Sequence, residues 1–217
     1  MSDPGPSPSW LGHARATVWL GLPLIGAQLA QTALNVTNTL VLGRLGPDEL
    51  AASVLGWQLF FVVWMFGSGF GFAVMPLVAN ALGAGDRTGI ARFVRMGLWV
   101  CLGYALLMMV PLSRAEAIFL SLGQDPKLAA LAADYVAVLQ WSLFAQLTLI
   151  VLRCFLGALA RPIVAVVALT GGVVLNAALN LVLVRGASGI PALGMAGAGL
   201  ATVISTAVVA LGMILYC

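Results

Sequence analysis

Residues 163–184 read IVAVVALTGGVVLNAALNLVLV, a run of 22 residues without a single charged side chain. As a helix rising 1.5 Å per residue, this run is about 33 Å long, which matches the roughly 30 Å thickness of a bilayer's hydrocarbon core. The run therefore predicts a transmembrane helix. Only two of its side chains, Asn176 and Asn180, are amides.

The rest of the chain repeats this pattern. Hydrophobic residues make up 62% of the sequence and charged residues 8%, with a mean hydropathy of +1.08, which excludes a soluble domain with a polar surface. The continuous apolar runs lack the alternation of barrel strands. The expected fold class is an all-α membrane protein, with six transmembrane helices in one bundle. The predicted spans are 17–42, 50–82, 93–112, 129–152, 163–184 and 193–217.

Residues 1–16 are rich in Pro and Ser, and we expect a disordered cytoplasmic tail there, followed by one bundle over residues 17–217. The basic residues are spread through loops, which argues against a nucleic-acid partner and favours a role in topology. With a cytoplasmic amino terminus, the inner side of the cell's inner membrane holds six of them, Arg15, Arg87, Arg92, Arg95, Arg153 and Arg161. The outer side holds Arg44, Arg114, Lys127 and Arg185.

The first span carries a polar stripe of Gln28, Gln31, Asn35 and Asn38. On a helix these amides fall within an arc of about 80°. They cannot face lipid, because unpaired amides there are costly. Two alternatives follow: hydrogen bonds between helices, or the lining of a water-filled cavity, which the length of the stripe favours. Pro23 gives the same span a place to bend.

The second predicted span is about 33 residues long and must tilt, bend or protrude from the core. The glycines of GSGFG at 67–71 and Pro76 offer places to bend. Its aromatic residues around Trp57 and Phe61 suit flat cationic ligands, or they simply face lipid.

Asn176 and Asn180 lie one turn apart on one helix face. A weak echo between LNVTNTLVLGR (34–44) and LNAALNLVLVR (175–185) suggests that the first and fifth spans are related as a parallel repeat. We therefore expect a polar chamber between these spans, to which Thr202 and Ser205 could add hydroxyls. In LGMAGAGLAT, small residues such as Gly197 and Ala201 create a flat face for close helix packing.

Catalysis is not indicated. No carboxylate lies at mid-membrane, and the one histidine, His13, belongs to the tail, so neither a metal site nor an intramembrane protease is expected. The three cysteines have no metal-ligand spacing and imply no disulfide framework.

Three stretches resemble the multidrug and toxic compound extrusion (MATE) family, NorM-like branch, in its amino-terminal half. They are Pro23 followed fifteen residues later by the start of NTLVLGRLGPDELAA (38–52), the loop MPLVANALGAGD (75–86), and NAALNLVLVRGASGIPALGMAGAGLAT (176–202). The resemblance implies a twelve-helix exporter of drugs or toxic organic cations, coupled to Na⁺ or H⁺, with two six-helix bundles and no organic cofactor.

Taken with this resemblance, the polar stripe and the asparagine pair predict a substrate cavity lined by Gln28, Gln31, Asn35, Asn38, Asn176, Asn180 and Thr202, with Pro23 as a hinge. Family members commonly place an Asp where Asn38 stands, and many archaeal-type members place one where Asn180 stands. An amide does not titrate, so Asn38 cannot exchange a proton. The second bundle would come from a missing carboxy-terminal half or a second copy. The alternatives are a lipid-linked oligosaccharide flippase of the same superfamily and a membrane subunit without transport activity.

Overall fold

A computed structural model describes residue 43 and residues 46–159, 162–186 and 192–217. All regular structure in this part of the chain is helical. Seven helices follow one another: α1 Pro47–Gly83, α2 Arg87–Ser113, α3 Ala115–Ser121, α4 Pro126–Leu139, α5 Ser142–Ala158, α6 Pro162–Arg185 and α7 Gly194–Tyr216. The predicted first span, 17–42, lies outside the described residues.

Local sequence signals set several helix starts. The Asp86 carboxylate accepts a hydrogen bond from the Gly89 amide at 2.8 Å and caps α2. Asp125 accepts from the amides of Lys127, at 2.9 Å, and Leu128, and so caps α4, whose first residue is proline. The turn between α1 and α2 is made possible by Gly85, whose φ of 72° lies in the left-handed region.

Four helices, α1, α2, α6 and α7, are each long and apolar enough to cross a membrane. They match the predicted spans 50–82, 93–112, 163–184 and 193–217. The predicted span 129–152 is instead a pair of helices, α4 and α5, bent by 51° and counted as a fifth span if the pair crosses together. The short helix α3 was not predicted. The predicted count of six remains a prediction, since the first span is not among the described residues.

The bend between α4 and α5 occurs at a place where the sequence contains no helix-breaking residue. Residues 139–142 read LQWS, without Pro or Gly, yet the chain leaves the helix at Gln140 and Trp141. By contrast, α1 runs as one continuous helix of 37 residues through GSGFG and Pro76, where the sequence suggested a bend. Two glycines of the GSGFG stretch allow close packing: a Cβ on Gly67 would lie 2.6 Å from the ring of Tyr104, and one on Gly71 would lie 2.6 Å from Ile150.

Helix α1 packs in parallel against α4 and α5. Both α1 and α4 begin at the same end, where Lys127 Nζ and Asp48 Oδ2 are 2.6 Å apart. Gly56 then contacts Tyr135, while Gly71 contacts Ile150 further along. The side chains buried along this seam are large and apolar, and include Phe60, Val78, Val136, Leu139, Leu143 and Leu147.

Helices α6 and α7 approach each other closely at Gly197. A Cβ on this residue would lie 2.6 Å from the carbonyl oxygen of Leu183 on α6. The neighbouring Ala198 and Ala201 are buried. This confirms the prediction that small residues in LGMAGAGLAT form a close-packing face.

We expect Gly197→Ala to destabilise the protein by about 1–3 kcal/mol, because the added methyl group would force the α6 backbone away. Gly212→Ala on the same helix is the matched control, since nothing lies within 4 Å of a Cβ there. The measurement is unfolding of the purified protein by sodium dodecyl sulfate in mixed micelles. Equal effects of the two substitutions would contradict the close approach.

Candidate functional site

Two asparagines and two hydroxyl residues form a hydrogen-bonded group between α6 and α7, here named the α6–α7 amide cluster: Asn176, Asn180, Thr202 and Ser205. Asn176 Nδ2 donates to Ser205 Oγ at 2.9 Å and to Thr202 Oγ1 at 3.5 Å. Asn180 Nδ2 donates to Asn176 Oδ1 at 2.8 Å and to the Asn176 carbonyl oxygen at 3.0 Å. The cluster therefore links the two helices through side chains alone.

Helix geometry places these groups together. Asn176 and Asn180 are one turn apart on α6, so their amides lie on the same face. Thr202 and Ser205 are three residues apart on α7 and face α6 in the same way. Both hydroxyls also donate to carbonyl oxygens of their own helix, Thr202 to Ala198 at 3.1 Å and Ser205 to Thr202 at 3.2 Å.

The cluster is buried and neutral. Asn176 is 4% exposed, Asn180 1% and Ser205 3%, while Thr202 is half-buried. Its oxygen atoms could accept hydrogen bonds from a ligand or help to coordinate a cation, but none of the four side chains carries charge or exchanges a proton near neutral pH. Chemically the cluster can bind and orient, and it cannot supply acid or base.

The structure thus brings together the three predicted site residues that it describes, Asn176, Asn180 and Thr202, and joins Ser205 to them. The other predicted cavity residues, Gln28, Gln31, Asn35 and Asn38, and the predicted hinge Pro23 lie outside the described residues. The predicted chamber between the first and fifth spans therefore stays a prediction.

A second polar group, at the bend between α4 and α5, was not predicted. Gln140 Nε2 donates to the Ala137 carbonyl oxygen at 3.0 Å, and Ser142 Oγ donates to that of Leu139 at 2.7 Å. Gln146 Nε2 in turn donates to Ser142 Oγ at 3.0 Å. Gln140 Oε1 is buried and has no hydrogen-bond partner among the described residues. The sequence did contain a signal for this group: amide side chains within an apolar run, which is the criterion that identified the polar stripe of the first span.

The aromatic residues of α1 divide between core and surface. Phe60 is fully buried, whereas Trp57 and Phe61 are 40% and 42% exposed. The exposed pair, with Gln58 and Val62, lines a shallow cavity of about 400 Å³. Both interpretations of the sequence, a ligand surface and a lipid-facing surface, fit this arrangement.

Comparison with known proteins yields matches over most of the chain. The family model MatE matches residues 23–182. A probable multidrug resistance protein NorM of Rhizobium meliloti (strain 1021) is 49% identical over 193 residues, which is 89% of this chain and 41% of that protein. Its namesake in Agrobacterium fabrum (strain C58 / ATCC 33970) is 45% identical over 204 residues, 94% of this chain and 44% of that protein.

Among solved structures, the outward-facing conformation of a multidrug resistance MATE family transporter of the MOP superfamily is similar, with a TM-score of 0.82 and 25% identity. The alignment covers 93% of this chain and 44% of that one. The chain spans less than half the length of the curated relatives that it matches.

We expect the hydrogen bond between Asn176 and Ser205 to show in a double-mutant cycle of Asn176→Ala and Ser205→Ala. Its coupling free energy should be about 0.6–2 kcal/mol, the range of side-chain hydrogen bonds between membrane helices. The measurement is the free energy of unfolding in mixed micelles. A control cycle pairs Asn176→Ala with Thr206→Val, because the Thr206 hydroxyl bonds only carbonyl oxygens of α7. Strict additivity in both cycles would contradict the bond.

Proposed function

Because this chain belongs to the MATE family, we propose that it forms one bundle of an efflux transporter for cationic or amphipathic organic compounds. Two findings support the proposal: the NorM relatives are named as probable multidrug resistance proteins, and the similar solved structure is a multidrug resistance transporter. The family consists of transporters, so the expected activity is movement of a solute rather than catalysis. The relatives' names give no support to the flippase alternative.

The observation that carries the assignment of the site is the α6–α7 amide cluster itself. Its polar groups are neutral and sit between two helices that are mostly apolar. Keeping buried amides in such a position is costly unless each is hydrogen-bonded. We propose that Asn176, Asn180 and Thr202 form one wall of the substrate passage, and that Gln28, Gln31, Asn35 and Asn38 of the predicted first span form the other, with Pro23 as the hinge.

Neutral walls suit a passage for varied cations. An amide or hydroxyl oxygen attracts a cation weakly and from many directions, so substrates of different shape can bind and leave. A buried carboxylate would hold a cation more tightly. The proposal therefore separates substrate contact, made here by neutral groups, from the coupling charge.

The coupling ion is proposed to be Na⁺ or H⁺. Helices α6 and α7 contain no Asp or Glu, and neither does the predicted first span. A group that exchanges protons would then belong to another part of the transporter. The relatives are about twice as long as this chain, so we propose that a second bundle completes the transporter and holds that group.

The proposed membrane arrangement is a multi-pass bundle in the inner membrane, with a disordered tail over residues 1–16 and the amino terminus in the cytoplasm. The short turn between α1 and α2 supports this orientation, because it lies beside three arginines, Arg87, Arg92 and Arg95.

One observation favours a second candidate function. Asn176 and Asn180 are almost completely buried by their neighbours, which is also what a purely structural role in helix pairing requires. A membrane subunit without transport activity would show the same bonds. Only an activity measurement separates the two functions.

The test is efflux of an ethidium-like cation from a pump-deficient bacterium, and it compares Thr202→Val with Thr206→Val. Both substitutions are isosteric and each removes one hydroxyl that bonds a carbonyl oxygen of α7, but only Thr202 also accepts from Asn176. We expect Thr202→Val to slow efflux about tenfold or more and Thr206→Val to leave it within twofold, at equal protein levels.

The starting protein is assayed both as this chain and together with whatever coding sequence follows it. Efflux from either form, lost in Thr202→Val, would support the proposal. Efflux unaffected by both substitutions would contradict the role of the cluster. Dye retention by both forms, at confirmed membrane expression, would contradict the transport function and favour the subunit.

A further inference from the structure

A groove of about 620 Å³ lies at the end of the bundle where α1 and α5 finish, α2 starts and α7 ends. Its wall is apolar, with contributions from Leu98, Leu152, Phe155 and Ile214. Two charged residues interrupt this wall, Arg87 and Arg95, both from α2. The groove is separate from the α6–α7 amide cluster, none of whose residues lines it.

The two arginines share one face of α2. They are eight residues apart with Ala91, another lining residue, midway between them, so all three follow the same helix stripe. At 1.5 Å per residue, their backbones are about 12 Å apart along the helix axis. Arginine side chains are long enough to converge on one ligand group from such a distance.

Neither guanidinium forms an ion pair with a described residue. The one ion pair within the described residues joins Lys127 to Asp48, at the opposite end of α1. Arg95 Nε donates to the Ala91 carbonyl oxygen at 3.3 Å, which leaves the other guanidinium nitrogens for a ligand. The nearest acidic residue in sequence is Asp86, whose carboxylate caps α2 through Gly89.

The charges of the bundle are divided between its two ends. The groove end holds Arg87, Arg92, Arg95 and Arg153, with Asp86 as the acidic residue described there. The other end holds Asp48, Glu49, Glu116, Asp125 and Asp134, with Arg114, Lys127 and Arg185, the last residue of α6, as the basic residues there. The groove is thus open to an anion at the end of the molecule where the described charges are mainly positive.

A ligand for this groove must satisfy both of its features. A small soluble anion would pair with the arginines and leave the wall of leucine, phenylalanine and isoleucine unused. A neutral lipid tail would cover that wall and leave two cations unpaired. An amphipathic anion uses both, and within a membrane the abundant molecules of this kind are anionic phospholipids.

We propose that the groove is a binding site for an anionic phospholipid from the leaflet that surrounds the turn between α1 and α2. Arg87 and Arg95 bind the phosphate through charge-assisted hydrogen bonds, and an acyl chain lies along Leu98, Leu152, Phe155 and Ile214. The bound lipid joins α2 to α5 and α7 and stabilises this end of the bundle by mass action. The inference does not depend on the proposed transport function.

The test measures lipid bound to the purified chain by native mass spectrometry, during titration with phosphatidylglycerol or phosphatidylcholine. Both lipids carry a phosphate, but choline cancels its charge in phosphatidylcholine, so with two arginines at the head group we expect about 30-fold preference for phosphatidylglycerol, about fivefold for each arginine. The double substitution Arg87→Gln and Arg95→Gln should abolish this preference. The matched control, Arg92→Gln with Arg153→Gln, removes equal charge from exposed positions at the same end outside the groove and should preserve it.

Two more variants keep the test decisive. Arg87→Lys with Arg95→Lys retains both charges and should keep part of the preference for phosphatidylglycerol. This variant provides a second measurement if the glutamine variant fails to fold. Leu98→Trp fills the groove without changing charge and should weaken binding of both lipids.

Three results would overturn the proposal. The first is equal binding of the two lipids by the unsubstituted chain. The second is an equal loss of preference in the control variant, which would indicate attraction to the whole basic end. The third is displacement of phosphatidylglycerol by millimolar glycerol 3-phosphate, which would indicate a site for a soluble anion.

Discussion

Water is absent from the hydrocarbon core of a membrane, so each amide and hydroxyl that this chain places between its helices must find a partner within the protein or its ligands. This constraint explains the hydrogen bonds of the interior. The Tyr104 hydroxyl on α2 donates to the Val63 carbonyl oxygen on α1 at 2.7 Å. Ser53, Ser68 and Ser142 each donate to a carbonyl oxygen three residues earlier. Asn180 Nδ2 donates to Asn176, and Asn176 Nδ2 donates to the hydroxyls of Thr202 and Ser205 on α7.

The same constraint connects structure to function. A polar group that must be partnered inside the protein can exchange that partner for a substrate, provided that the two are similar in strength. Asn176 Nδ2 donates to neutral hydroxyls, which a water molecule can replace as acceptors at small cost, while a passing cation would bind to the oxygen atoms of the same groups. A charged acceptor such as a carboxylate would hold the Asn176 amide more firmly. Neutral pairing therefore fits a site that binds and releases, and it also fits a helix contact, which is why the function rests on measurement.

The two ends of the bundle differ in charge. Acidic residues collect where α1 and α4 begin, and one of them forms the ion pair between Asp48 and Lys127. That pair is largely exposed, so it contributes little to stability. Arginines without acidic partners collect at the other end, beside an apolar groove. In a membrane protein such charges interact with lipid head groups as well as with the protein. The bilayer therefore supplies partners that the protein itself does not.

The sequence by itself determined the membrane class, the helical fold, and the approximate limits of four described spans, because long uncharged runs have one physical solution in a bilayer. The sequence also predicted Asn176, Asn180 and Thr202 as site residues. Polar side chains are rare in apolar runs, and helical spacing shows which of them share a helix face. Only the tertiary structure decided the remainder. The bend at Gln140 and Trp141 contains no Pro or Gly from which it could be predicted. The side chains of Gln140 and Ser142 donate hydrogen bonds to backbone carbonyl oxygens there. The GSGFG stretch of α1 was predicted as a place for a bend, and in the structure its Gly67 and Gly71 lie against Tyr104 and Ile150, because a missing side chain permits close packing as readily as it permits a kink. The groove beside Arg87 and Arg95 is formed by α1 and α2 together with α5 and α7, which are distant from them in sequence, and no local sequence pattern shows which helices meet.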